Sequence, residues 1–87
     1  MDWEIIGFIK ASTLRIKILD SLNHKEHTPK ELQDTLKIHF SQISLILKEL
    51  IDKDLIQCLN EDSRKGKIYS ITEKGKNSIE YIQGGKK

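Results

Sequence analysis

Apolar positions recur at helical spacing through the first fifty residues, then give way to two short stretches of strand character and one last helical segment. Trp3, Ile5, Ile6, Phe8 and Ile9 make Asp2–Lys10 apolar on more than one side, which is more than the single stripe of a surface helix needs. Ser12 is placed to cap a second helix, with Leu14, Ile18 and Leu22 four apart on one face. Asn23 to His27 is polar and reads as a loop. Thr28-Pro29-Lys30-Glu31 then signals a helix start: a capping threonine, proline at the first helical position, and glutamate to complete a capping box. That third helix runs to about Leu36. Ser41–Lys53 reads as a fourth, with Ile43, Leu47 and Leu50 inward, and Asp54 follows where a left-handed residue often ends a helix.

Leu55–Asn60 and Lys67–Ile71 are compatible with strands, joined by the polar turn Glu61–Gly66 into a β-hairpin. Thr72 caps a final helix from Glu73 to about Gln83, with Ile79 and Ile82 inward and Gly75 weakening its first turn. The expected fold is mainly α with one small hairpin, in the order α-α-α-α-β-β-α. Residues 1–83 read as one domain and residues 84–87 as a flexible C-terminal tail.

Composition narrows the function. Eighty-seven residues suffice for one domain with a thin stability margin, so the surplus apolar surface of the first helix suggests packing against a second copy. Cys58 is the lone cysteine, which rules out an internal disulfide framework and suits a reducing compartment. No apolar run approaches a membrane span, and the acidic start lacks the basic region of a signal peptide, so the expectation is a cytoplasmic protein. The net charge of +2 is small but unevenly spread. Residues 1–63 hold 8 Lys/Arg against 11 Asp/Glu, whereas residues 64–87 hold 7 against 2. The basic end suits an anionic partner, or else a solvated tail.

The segments Thr28-Pro29-Lys30-Glu31-Leu32, Ile43-Ser44, Leu47-Lys48-Glu49-Leu50, Asp54-Leu55-Ile56 and Tyr69-Ser70-Ile71-Thr72-Glu73-Lys74-Gly75 follow one another in an order that resembles winged helix-turn-helix regulators. The similarity is to the MarR and ArsR groups and short archaeal-type relatives, and it extends from about Ile9 to Ile82. It implies a transcriptional regulator that binds double-stranded DNA with a sequence preference. Ser41–Lys53 would be the recognition helix in the major groove, and residues 61–67 the wing on the backbone or minor groove. Helical geometry leaves Ser41, Gln42, Ser44, Leu45 and Lys48 to face DNA, while Ile46 joins the core. Gln42 suits adenine, Ser44 a base edge or phosphate, and Lys48 a phosphate. Leu45 suits a thymine methyl or, alternatively, a protein surface. Few of these groups recognise guanine, so groove shape is expected to contribute. Arg64, Lys65 and Lys67 surround Gly66 at the hairpin tip, where they meet phosphates or remain a solvated loop offset by Glu61 and Asp62. Lys30 adds a phosphate contact at a helix N-terminus.

The expected partners are duplex DNA and a second copy of the chain, paired through Trp3, Ile5, Phe8 and Ile9 with help from Ile79 and Ile82. No cofactor or metal is expected. His24, His27, His39 and Cys58 are the candidate ligands, but no cysteine pair accompanies them, and Cys58 reads better as a small buried hydrophobe. No phosphate loop or nucleophile elbow points to an enzyme. The rival reading is a winged-helix protein–protein interaction module in a transcription or replication assembly. RNA binding ranks below it, because Trp3, Phe8 and Phe40 lie where packing is expected rather than stacking.

Overall fold

The computed structural model describes residues 2–63 and 66–84. Helix α1 spans Trp3–Lys10, α2 Thr13–His24, α3 Pro29–Leu36 and α4 Phe40–Asp52; strands β1 (Ile56–Cys58) and β2 (Tyr69–Ile71) follow, then α5 (Glu73–Ile82). This is the expected order. Of the tail at 84–87, only Gly84 lies within the described residues.

Each helix starts on the kind of residue that can satisfy its orphan N–H groups. The Asp2 carboxylate accepts from the Glu4 and Ile5 amides, and the Ser12 hydroxyl from the Arg15 amide. The box at α3 is reciprocal: Glu31 N–H donates to Thr28 Oγ1 at 3.1 Å, and Thr28 N–H to Glu31 Oε1 at 3.0 Å. α4 begins one residue earlier than its sequence suggests, because the His39 ring, rather than a residue within the helix, takes the cap and accepts from the Ser41 amide. The turn between α3 and α4 is short. Lys37 takes the left-handed conformation at φ 59°, and Ile38 drops into the core.

The end of α4 is a Schellman motif. Asp54 sits at φ 63°, its N–H donating to the Ile51 carbonyl while the Leu55 N–H donates to that of Leu50, both at 2.9 Å. Leu55 is thereby committed to the helix end, so β1 starts only at Ile56. β1 and β2 pair antiparallel, Ile56 opposite Ile71, Gln57 opposite Ser70 and Cys58 opposite Tyr69. Both strands are shorter than expected. Beyond Cys58 the Asn60 side chain takes up part of the pairing, accepting from Ile68 N–H at 2.7 Å and donating to the Gly66 carbonyl at 2.8 Å. On the other edge of β2, His27 and Tyr69 exchange two backbone bonds, which ties the hairpin to the start of α3.

The core gathers Ile9, Ile18, Leu19, Leu32, Ile43, Leu50, Leu55, Ile56 and Ile79, all fully buried. Thr72 joins the hairpin to α5: its hydroxyl donates to the Asp54 carbonyl and accepts from the Gly75 amide. Gly75 is there for space. A Cβ at this position would run into the Leu55 carbonyl and lie 2.9 Å from the Ile71 side chain, so the intrinsic cost of glycine in the helix is outweighed by the close approach it permits.

Candidate nucleic-acid interface

α4 turns Ile43, Ile46, Leu47 and Leu50 inward against the core. Ser41, Gln42, Ser44, Leu45 and Lys48 are all exposed, as their spacing requires. The α3–α4 turn and the Schellman end hold this helix at both termini, so its outer face is presented by rigid backbone.

Between α4, the start of α3 and the hairpin lies an open groove of about 740 Å³. Lys30 comes from α3, Lys48 from α4 and Lys67 from the hairpin, so three cations separated by up to 37 positions in sequence share one rim. Lys30 lies 3.9 Å from Asp34 in a solvent-exposed pair, too weak to hold the ammonium away from another anion. Lys67 donates to the Glu61 carbonyl at 2.8 Å, bracing the hairpin tip. Arg64 and Lys65 lie outside the described residues.

The floor and wall of the groove were not anticipated from sequence. Pro29, Phe40, Leu47, Ile51 and Tyr69 line it. The α4 part had a signal, since Phe40, Ser44, Lys48 and Ile51 fall on one stripe at helical spacing. Tyr69 had none, because its position depends on how the hairpin folds back onto His27. Burial raises the Tyr69 phenol above its ordinary 10.0, with neighbouring Cys58 adding to the effect. Its hydroxyl is therefore neutral at physiological pH.

A second network joins α1, α2 and α4. The Arg15 guanidinium lies 3.9 Å from the centre of the Phe8 ring, donates to the Phe8 carbonyl at 2.7 Å, and reaches Glu49 of α4 at 3.2 Å. Residues 34 positions apart meet here, which periodicity alone does not indicate.

The residues expected to pair two copies are divided by the fold. Ile5, Ile9 and Ile79 are buried in the chain's own core and leave no surface for a second chain. Phe8 and Ile82 pack half-buried against that core. Trp3 stays 64% exposed, with Tyr81 of α5 against it edge-to-face at 5.5 Å. Tyr81 is thus an aromatic partner for Trp3 that lies 78 positions away in sequence and has no signal in local spacing.

Among the described residues, no group of three or more His, Cys, Asp or Glu side chains is arranged to hold a metal ion. None of their helices is long and apolar enough to cross a membrane.

No curated protein sequence shows a significant match. Several solved structures share the fold. Apo MarR from E. coli superposes with a TM-score of 0.75 at 23% identity, over 83% of this chain and 55% of MarR. HlyU from Vibrio cholerae gives 0.76 at 22%, over 92% of this chain and 87% of HlyU. A mutant MarR from E. coli complexed with operator DNA gives 0.72 at 21%, over 93% and 61%. The chain therefore spans little more than half of the MarR chains and most of HlyU, and at these identities the likeness is one of fold. A family model for the winged helix DNA-binding domain matches residues 11–75, from the start of α2 through the capping turn of α5. With three-quarters of its length covered and α3, α4 and the hairpin in the expected places, the chain belongs to the winged helix DNA-binding domain family.

Proposed function

We propose that this protein is a cytoplasmic transcriptional regulator that binds double-stranded DNA as a homodimer and carries out no catalysis. α4 enters the major groove, and the wing at residues 61–67 rests on the backbone or in the minor groove. The observation that carries this reading is the convergence of Lys30, Lys48 and Lys67 on the rim beside the exposed face of α4. Family membership and the operator complex of a structural neighbour support it. Lysine contacts to phosphate position a protein without specifying sequence, so the wing sets register while α4 reads base edges. Dimerisation rests on the Trp3–Tyr81 patch, which would carry two α4 helices to successive major grooves about one helical turn apart.

Fluorescence anisotropy with random duplex and single-stranded DNA at two salt concentrations tests the reading. Tighter duplex binding that falls steeply with salt is the expected result. A second reading, a protein-binding winged helix, draws on the exposure of Phe40, Leu45 and Ile51. It gains if no duplex binds even at low salt.

A further inference from the structure

The outer face of α4 has a crest. At about 100° per residue, the direction opposite the centre of Ile43, Ile46, Leu47 and Leu50 is occupied by Ser41, Leu45, Lys48 and Asp52, each within about 30° of it. Leu45 is the single apolar side chain among these four and is 58% exposed. It has no part in the groove, which takes Phe40, Ser44, Leu47, Lys48 and Ile51 from this helix. It is not among the side chains packed against the core. Its helix neighbours are Ser41, Gln42, Lys48 and Glu49, the last held by Arg15, so it is one apolar group surrounded by polar ones. Phe40 and Ile51 lie about 120° or more around the helix from it. A protein partner would call for a contiguous apolar patch, and an isolated leucine is a poor one.

A lone apolar group set among hydrogen-bonding side chains matches a methyl group set among hydrogen-bonding atoms. In the major groove, among the four bases, only thymine presents a methyl. The opposite preference, for guanine, is met by arginine or lysine; α4 contains no arginine, and its one lysine, Lys48, lines the groove with Lys30 and Lys67. Arg15 is occupied by Glu49 and the Phe8 carbonyl. Gln42, exposed and three residues before Leu45, carries the amide that pairs with adenine N6 and N7. We propose that Leu45 reads the C5 methyl of thymine and that, together with Gln42, it makes α4 a reader of A·T pairs. The proposal rests on the DNA-binding reading above and names which bases that binding selects.

The test begins with duplexes selected by the native protein from a randomised pool. In the tightest of them, each thymine is replaced in turn by deoxyuridine, which removes the 5-methyl group and keeps the pairing. Binding should weaken about fourfold at one or two positions per half-site, the value of one buried carbon group. Leu45→Ala should bind thymine and deoxyuridine duplexes equally, whereas Leu45→Met should keep the difference. The side chain is exposed, so both variants should melt with the native protein by circular dichroism. At an adjacent adenine, 7-deazaadenine should weaken the native protein but not Gln42→Ala. A pool that yields no preferred sequence, equal binding of thymine and deoxyuridine by the native protein, or a thymine preference that survives in Leu45→Ala overturns the inference and leaves DNA binding intact. If no duplex binds at all, the DNA-binding reading itself fails, and this inference with it.

Discussion

α1 and α4 both carry more large apolar side chains than one buried face can use, and the fold treats the two surpluses differently. α1 buries Ile5, Ile6 and Ile9 and leaves Trp3 outside, where it meets Tyr81 of α5 and forms an aromatic patch. α4 buries Ile43, Ile46, Leu47 and Leu50, turns the exposed Phe40 and Ile51 to the groove, and leaves Leu45 apart among serine, glutamine and lysine. Where an apolar surplus serves a partner, its neighbours decide what kind. An aromatic pair suits another protein surface, where tyrosine and tryptophan carry much of the binding energy. An isolated leucine ringed by hydrogen-bonding and charged groups suits the mixed chemistry of a DNA groove.

The largest effect should come from removing what the two helices share. Leu50 of α4 is fully buried in the same core cluster as Ile5 and Ile9 of α1, and Leu50→Ala should cost about 2–5 kcal/mol, a large part of the stability of so small a domain. Urea unfolding should show the loss, with self-association and DNA binding disappearing together. If one survived without the other, the two surfaces would not depend on a common core.

Trp3→Ala separates them. Monomer stability should change little, because the ring is mostly exposed, while association weakens by about tenfold or more. Sedimentation velocity would show this, and a variant with unchanged self-association would place the dimer contact elsewhere. Duplex affinity should fall only as far as two linked copies gain from binding together.

Arg15→Ala probes the link between the helices. The guanidinium is mostly buried, but Glu49 is partly open to solvent, so the cost should be about 1–2 kcal/mol. The tilt of α4 should loosen as well, reducing discrimination between selected and random duplexes more than random-duplex affinity itself. Equal losses on both would indicate a purely structural role.

Lys67→Ala should have the smallest effect. Binding should weaken by a similar factor for every sequence, with the slope of log affinity against log salt falling by about one. A loss confined to one sequence would contradict a phosphate contact at the wing.

Much of this was legible in the sequence because it is local. The capping box at Thr28, the left-handed turn at Asp54, the cap at Thr72 and the exposed face of α4 each depend on residues within four or five positions of one another. Strand lengths were less legible. Nothing in the alternation of Leu55–Asn60 shows that Leu55 is held by Leu50 or that the Asn60 side chain, rather than backbone, accepts from the Ile68 amide. The surplus of α1 over one stripe is visible in its spacing, but which members stay outside depends on where α5 packs.

Sequence alone determined the order of elements, the helix boundaries to within a residue or two, and the face of α4 available to a partner. These follow from capping chemistry and a 3.6-residue period, and both act over short stretches of chain. Tertiary structure decided the rest. It assigned Ile5, Ile9 and Ile79 to the core, set Tyr81 against Trp3, joined Arg15 to Glu49, and brought Lys30, Lys48 and Lys67 around one groove. It also turned Gly75 from an apparent weakness into a requirement, because the Leu55 carbonyl occupies the space a side chain would need. Contacts between distant residues are set by how whole elements pack, and neither spacing nor composition encodes that packing one position at a time.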